Sequence, residues 1–385
     1  MAIPVDLPFP KEEYQQRLSA VQERMKARDL DALLCYTPEN IYYLTGYSTT
    51  GYYVYQCLIV PAEHDPIMVT RELETPNVLY GTWLDYYRTF KDTEDPVETT
   101  CKAVVEFGLD GKRVGFETTS WFLVQRDYEK TVSLLPKAKI GDGANLVEEG
   151  RVVKSPREIE CMRRGGEIVV KGMEAGIGAT RAGATENDVA AEVTRALIAN
   201  GSLYFAGQPY VCSGPRTAIG HATWSGRKLE AGDPIFFEMS ANVKRYSTAL
   251  MRTVNLGRPD DEYERLADAS LAGLNAAIGA IKPGATSGEV DNACRGAITK
   301  AGFGPQFHHR TGYSIGLGFP PGWGEGHIYD LKAGDPRVLK TGMTFHLVPV
   351  LFVDGRYGVG FSETVLVTEA GCEPLSSYPR GFIII

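Results

Sequence analysis

GMEAGIGATRAGATENDVAAEVTRALIANG, residues 172–201, returns 101 positions later as GLNAAIGAIKPGATSGEVDNACRGAITKAG, residues 273–302, with eleven of thirty paired positions identical. Both copies place Gly-Ala-Thr at the same point, at 183–185 and 284–286. The pattern predicts a helix that ends at the glycine. The threonine then caps a second helix whose first turn carries an acid, Asp188 or Glu289. Aromatic and β-branched segments follow each copy. Two αβ units in one domain predict a pseudo-two-fold core with a cleft between its halves. A chance likeness of Gly/Ala-rich helices is the alternative.

Outward from the repeat, Ser155-Pro156 with acids behind it marks a helix start, and a domain boundary falls near 152. The expected domains are 1–152 and 153–385. In the first, Tyr14, Leu18, Val21 and Met25 share one helical face. Tyr52–Val60, IMVT and RVGFE read as strands, so this half is α/β. A chain of 385 residues with 43% hydrophobic and 23% charged residues buries a core without disulfide or metal staples. Net charge of −8 argues against nucleic acid as a partner. No stretch is apolar enough to span a bilayer. The N-terminus does not read as a signal peptide. The seven cysteines form no CxxC and are odd in number, which fits reduced core thiols in a cytoplasm.

The chemistry-bearing residues lie in the second half. FFEMSANVKRYSTALMRT, Phe236–Thr253, sets one acid, Glu238, among apolar neighbours on a strand. Such a carboxylate is either met by a polar partner or raised in pKa and put to use, and the pattern leaves both open. His221 sits in a Gly/Ser/Thr-rich loop just before that strand. The glycine-rich run from His308 to Leu331 lacks the Lys-Ser/Thr helix start of a phosphate loop, so it reads as a rigid binding loop. GMTFHLVPVLFVDGRYGVGFSETVLVTEAG reads as two strands joined by an Asp-Gly turn, with His346 and Glu363 as polar residues among apolar ones.

Together these stretches resemble the creatinase/prolidase/methionine-aminopeptidase family. The resemblance covers nearly the whole chain. It implies a creatinase-like N-terminal domain and a pita-bread catalytic domain with a pseudo-two-fold αβ repeat. Metallopeptidases of this family hold two metal ions through two Asp, one His and two Glu. The matching positions here are Glu238, Ala249, Tyr313, Val348 and Ser362. Ala and Val carry no donor atom, and neutral Tyr and Ser are poor ligands. The resemblance therefore implies the metal-independent branch, with no cofactor.

NIYYLTGY, YVYQC, HATW, FFE with KRY, RTGYSIGL, PPGWGE, GMTFH and SETVLVT are most similar to the ectoine hydrolases. The implied catalytic residues are Glu238, His221, Glu363 and Tyr313. The implied substrate-binding residues are Tyr52, Tyr53, Phe237, Tyr246, Arg310, Trp323, Glu325 and His346. Ectoine hydrolases tend to carry Trp near Thr50 and His-Cys at Ser247-Thr248, two departures at positions expected to face the ligand. The implied activity is hydrolysis of a C–N bond in a small zwitterionic or cationic amidine- or guanidine-type amino acid derivative. The implied assembly is a homodimer. An Xaa-Pro metallopeptidase, a creatinase and a non-catalytic peptide-binding module are the alternatives.

Overall fold

The computed structural model describes residues 3–385 and divides them into two compact units, 1–151 and 152–385 by residue number. The first is built on a six-stranded mixed sheet. Its strands are β1 (Ala32–Cys35), β2 (Cys57–Pro61), β3 (Ile67–Arg71), β4 (Tyr86–Phe90), β5 (Arg113–Phe116) and β6 (Lys139–Asp142), in the order β4-β3-β2-β1-β5-β6. β1, β2 and β3 are nearly continuous buried apolar runs, the composition of strands covered on both faces. Helix α1 (Lys11–Ala27) buries Tyr14, Leu18, Val21 and Met25, as their spacing predicts. The strand expected over Tyr52–Val60 starts later, at Cys57, because Gly51–Val54 close a turn through the Val54 N–H to the Gly51 carbonyl at 2.9 Å.

In the second unit, α2 (Pro156–Ala179) and α3 (Glu186–Ala199) cover a four-stranded sheet of β7 (Tyr210–Ser213), β8 (Pro234–Val243), β9 (Tyr246–Asn255) and the short C-terminal strand Ile383–Ile384. Helices α4 (Asp261–Ala280) and α5 (Ser287–Lys300) cover β10 (Gly312–Ser314), β11 (Asp330–Leu331), β12 (Thr344–Leu347), β13 (Val350–Val353), β14 (Tyr357–Gly360), β15 (Glu363–Thr368) and β16 (Gly371–Pro374). The repeat is thus two helix pairs on two sheet systems. Ser155 caps α2, and Thr185 and Thr286 cap α3 and α5, each within a reciprocal capping box.

The two copies are also clasped alike. Gly183 N–H bonds the Leu229 carbonyl, and Gly284 N–H bonds the Leu339 carbonyl. Leu229 N–H returns to Ala184, and Leu339 N–H to Ala285. The first helix of each copy ends earlier than its sequence predicts, at Ala179 and Ala280 rather than at the glycine. Thr180 and Ile281 leave the helix with ψ near 117–118°, and the glycines take φ of +85° and +88° in the turn that follows. The Asp354-Gly355 turn joins β13 to β14, with Val353 opposite Tyr357. The run expected as two strands is four, because Val348-Pro349 and Phe361-Ser362 interrupt the ladders.

All seven cysteines are free thiols and six are buried. Among the described residues, no helix is long and apolar enough to cross a membrane.

Candidate active site

Strand alternation decides which side chains of the Phe236–Thr253 hairpin can act. On β8, Phe237 and Met239 point into the core under α2 and α3, where Phe237 packs near Gly176. Phe236 and Glu238 point the other way and line a cavity of about 130 Å³. That is well below the roughly 300–1,000 Å³ of sites for drug-sized ligands, so it suits a compact solute. Glu238 pairs with Tyr210 on one side of β8 and Met251 on the other, and both line the same cavity.

The carboxylate is 8% exposed, and no hydrogen bond or ion pair reaches it among the described residues. Burial alone pushes its pKa to about 8. Of the two outcomes the sequence left open, the described residues show the second: no protein partner meets the carboxyl, and its pKa is raised.

His221 stands at the cavity on an exposed loop, with φ +60°. A non-glycine residue in that region is uncommon and costs on the order of 1–3 kcal/mol. The surrounding loop is held by Glu186, the first residue of α3. Its fully buried carboxylate accepts Ser213 N–H and Oγ at 2.8 Å, Ser225 N–H at 2.8 Å and an Arg216 N–H. Arg216 in turn donates to the Thr223 carbonyl at 2.7 Å. The Tyr210 ring lies 5.7 Å from the His221 ring, centroid to centroid. His309 is also in the wall, its basicity lowered by burial and then by the neighbouring Arg310 and His221, while a bond to the Arg310 carbonyl opposes this.

Tyr313 faces Glu238 across the cavity. Burial, and then the Glu238 charge, push its phenol pKa well up, so it stays a neutral hydroxyl. Its oxygen accepts Trp323 Nε1–H at 3.2 Å and lies 3.0 Å from His346 Nδ1. His346 Nε2 lies 2.7 Å from Ser362 Oγ, and Ser362 Oγ accepts Met251 N–H at 2.7 Å. Desolvation drops the His346 pKa to about 3, so the ring is neutral.

The structure brings Glu238, His221 and Tyr313 to one cavity, with Trp323 and His346 bonded to or behind Tyr313. It places other expected site residues elsewhere. Glu363 is fully buried against Arg252 at 2.7 Å and Ser376 at 2.7 Å, outside the cavity wall. Burial raises its pKa in spite of those partners. Phe237 is core, because the one-residue step along β8 turns it away. Tyr246 donates to buried Glu158. Glu325 pairs with Lys154 at 2.8 Å, both buried. Arg310 pairs with Asp330 at 2.6 Å and lies over the Tyr313 ring, 5.0 Å from its centroid. Tyr52 and Tyr53 belong to the first unit, edge to face, with Tyr53 79% exposed. Ser247 and Thr248 do not line this cavity. Both are fully buried, bonded to Asn242 at 2.8 Å and to the Met162 carbonyl at 2.5 Å.

Tyr210, Phe236 and His309 were missing from the sequence-derived set. Period-two alternation from Glu238 was enough to find Phe236, but nothing local marks Tyr210 as its cross-strand neighbour.

The five positions matching family metal ligands do not fit a metal centre. Ala249 offers only backbone, and its N–H and carbonyl are both taken by Thr364 Oγ1, at 3.0 and 2.9 Å. Ser362 is committed to His346 and Met251, and Val348 presents an apolar wall. Among the described residues no three His, Cys, Asp or Glu side chains gather as a metal site would require.

Comparison with known proteins shows the family and the fold. The profile of metallopeptidase family M24 matches residues 160–369, and that of the creatinase/prolidase N-terminal domain matches 17–153. The chain is 33% identical to the ectoine hydrolase of Halomonas elongata, over 99% of this chain and 100% of that protein. It is 27% identical to the Xaa-Pro dipeptidase of Pyrococcus horikoshii, over 96% and 99%. Among solved structures, a recombinant prolidase from Thermococcus sibiricus superposes with a TM-score of 0.87 at 24% identity, covering 97% of this chain and 99% of that one. This last likeness concerns the pita-bread fold.

Proposed function

Because the chain belongs to metallopeptidase family M24 and carries the creatinase/prolidase N-terminal domain, we propose that its cavity hydrolyses a C–N bond of a small amidine- or guanidine-type amino acid derivative without a metal ion. The observation that carries this reading is the unpaired, buried Glu238 carboxylate in an aromatic cavity. A cationic amidine supplies what that carboxylate lacks, an opposite charge and an N–H donor to one oxygen, leaving the other oxygen to meet water. The rings of Tyr210, Phe236, Tyr313 and Phe352 in the wall each favour a cation by roughly 0.5–2 kcal/mol. The ectoine hydrolase relative, similar along its whole length, supports this substrate class.

Glu238 acts as the general base. A pKa near neutrality gives a proton acceptor of useful strength at working pH. It takes a proton from water as the water oxygen bonds to the amidine carbon. Tyr313 donates a hydrogen bond to the nitrogen lone pair that appears as the amidinium carbon becomes tetrahedral. His221 passes a proton from solvent to the departing nitrogen while the proton on Glu238 returns to solvent, so the C–N bond breaks to an amine and an amide (from an amidine) or a urea (from a guanidine). General acid–base help of this kind contributes about 10²–10⁴-fold. The same reading includes a cytoplasmic homodimer in which half-buried Tyr52 and exposed Tyr53 serve a partner's cavity.

The test is turnover of ectoine, hydroxyectoine, creatine and proline dipeptides by purified protein, with and without chelator. Chelator-resistant ring opening or urea release, lost in Glu238→Gln and His221→Ala, is the expected result. Chelator-sensitive cleavage confined to proline dipeptides would return the chain to the peptidases. No turnover of any C–N substrate would make it a binding module.

A further inference from the structure

The Met251–Ser362–His346–Tyr313 chain of hydrogen bonds runs from a backbone amide to the cavity, and its direction can be worked out. Ser362 Oγ already accepts Met251 N–H. The side chain is fully buried, and its sole other polar neighbour among the described contacts is His346 Nε2 at 2.7 Å. If the imidazole donated from Nε2, Ser362 would accept twice and its own hydroxyl proton would have no acceptor. Buried hydroxyls are rarely left so. With the opposite direction the one hydroxyl proton without a protein acceptor is that of Tyr313, at the cavity, rather than that of fully buried Ser362. Ser362 donates to Nε2, and Nδ1 carries the ring proton and donates to Tyr313 Oη at 3.0 Å. Trp323 Nε1–H occupies a second acceptor position on that oxygen at 3.2 Å. Tyr313 is then left with no inward acceptor for its O–H, which turns to the cavity that Glu238 faces.

We infer that Ser362 and His346 are positioning residues that lock one imidazole tautomer and so make Tyr313 an obligate hydrogen-bond donor into the cavity. The inference deepens the hydrolase reading and rests on it for its catalytic meaning, but the proton's location stands independently. The neutral ring demanded by this arrangement agrees with the strong desolvation of His346. The device makes the cavity selective. A donor fixed beside Glu238 suits a substrate presenting an acceptor, or a centre that becomes one during reaction, next to its cationic N–H groups.

The experiment uses full-length protein labelled with ¹⁵N-histidine, the His346 signal being the one missing in His346→Gln. Long-range ¹H–¹⁵N spectra separate protonated from bare ring nitrogens. The expected result is the proton on Nδ1 throughout pH 5–9, its transfer to Nε2 in Ser362→Ala, and its return to Nδ1 in Ser362→Thr. In parallel, Ser362→Ala should lower kcat by roughly tenfold or more with little change in KM, with Ser362→Thr restoring it; Tyr313→Phe should lower kcat by about 10²–10³. A wild-type ring carrying its proton on Nε2, or on both nitrogens, overturns the inference even if turnover is normal. Absence of turnover on every C–N substrate with the proton on Nδ1 leaves the relay standing and removes the hydrolase reading. Should Ser362→Ala not fold, the wild-type spectrum alone decides.

Discussion

Replacing Glu238 by Gln should make this protein more stable while abolishing its turnover, and the gain should grow with pH. The carboxyl is lifted from an ordinary 4.5 to about 8 by burial alone. Its charged form is therefore disfavoured in the folded state relative to the unfolded one. Below about pH 4.5 the group is neutral in both states and costs nothing. Between about 4.5 and 8 the folded protein holds a proton that the unfolded chain has released, so stability falls as pH rises, and levels off above 8. At about 1.4 kcal/mol per unit the ceiling is roughly 5 kcal/mol. Solvent in the cavity lowers this to about 2–3 kcal/mol. For a unit of this size that is about 5–10 °C in Tm. Thermal melts of wild type and Glu238→Gln at pH 5 and pH 8.5 read the difference directly. The variant should match wild type within a degree or two at pH 5 and exceed it at pH 8.5. Parallel curves at both pH values would show that Glu238 is solvated or paired, and the argument from its isolation would fail. A saturating cationic substrate analogue should close the gap by stabilising wild type alone, since the analogue supplies the missing charge.

Three other perturbations separate machinery from scaffold. Phe237→Ala should cost about 3–5 kcal/mol with KM of the folded fraction unchanged, whereas Phe236→Leu should move KM with little loss of Tm; urea titration and initial rates distinguish them. Glu363→Gln strands a buried Arg252 and should cost about 3–5 kcal/mol, yet enzyme that remains folded at low temperature should turn over normally, which a catalytic Glu363 would not allow. Glu186→Gln should loosen the His221 loop, lowering kcat about tenfold or more, with new proteolytic cuts between 214 and 226 as the structural readout.

The helix pairs, their threonine caps and the strand carrying Glu238 were legible in the sequence because each rests on local chemistry. A Thr followed three residues later by an acid satisfies helix donors wherever it occurs, and apolar flanks around Glu238 announce a buried strand. Partner choice was not legible. Glu363 reads like Glu238, an acid among apolar residues, but Arg252 lies 111 positions away and only the folded sheet brings it to 2.7 Å. Glu325 met Lys154 across 171 positions in the same way. Phe237 differs again: the resemblance implied it as a substrate-binding residue, but its period-two position, one step from Glu238, turns it into the core. His346 was legible as a buried polar residue, but its tie to Tyr313 and Ser362 depends on the register of three neighbouring strands.

The Thr364 clasp on Ala249 has a consequence for engineering. Installing an acid at 249 would place a new negative charge beside a threonine hydroxyl that already serves the main chain of that residue at both ends. Converting Ser362 would at the same stroke undo the imidazole behind Tyr313. Side-by-side grafting of the missing ligands would thus pass through intermediates that have lost the old chemistry before acquiring the new. An engineered metal site would therefore have to rebuild positions 249, 362 and the Tyr313–His346 pair in one step.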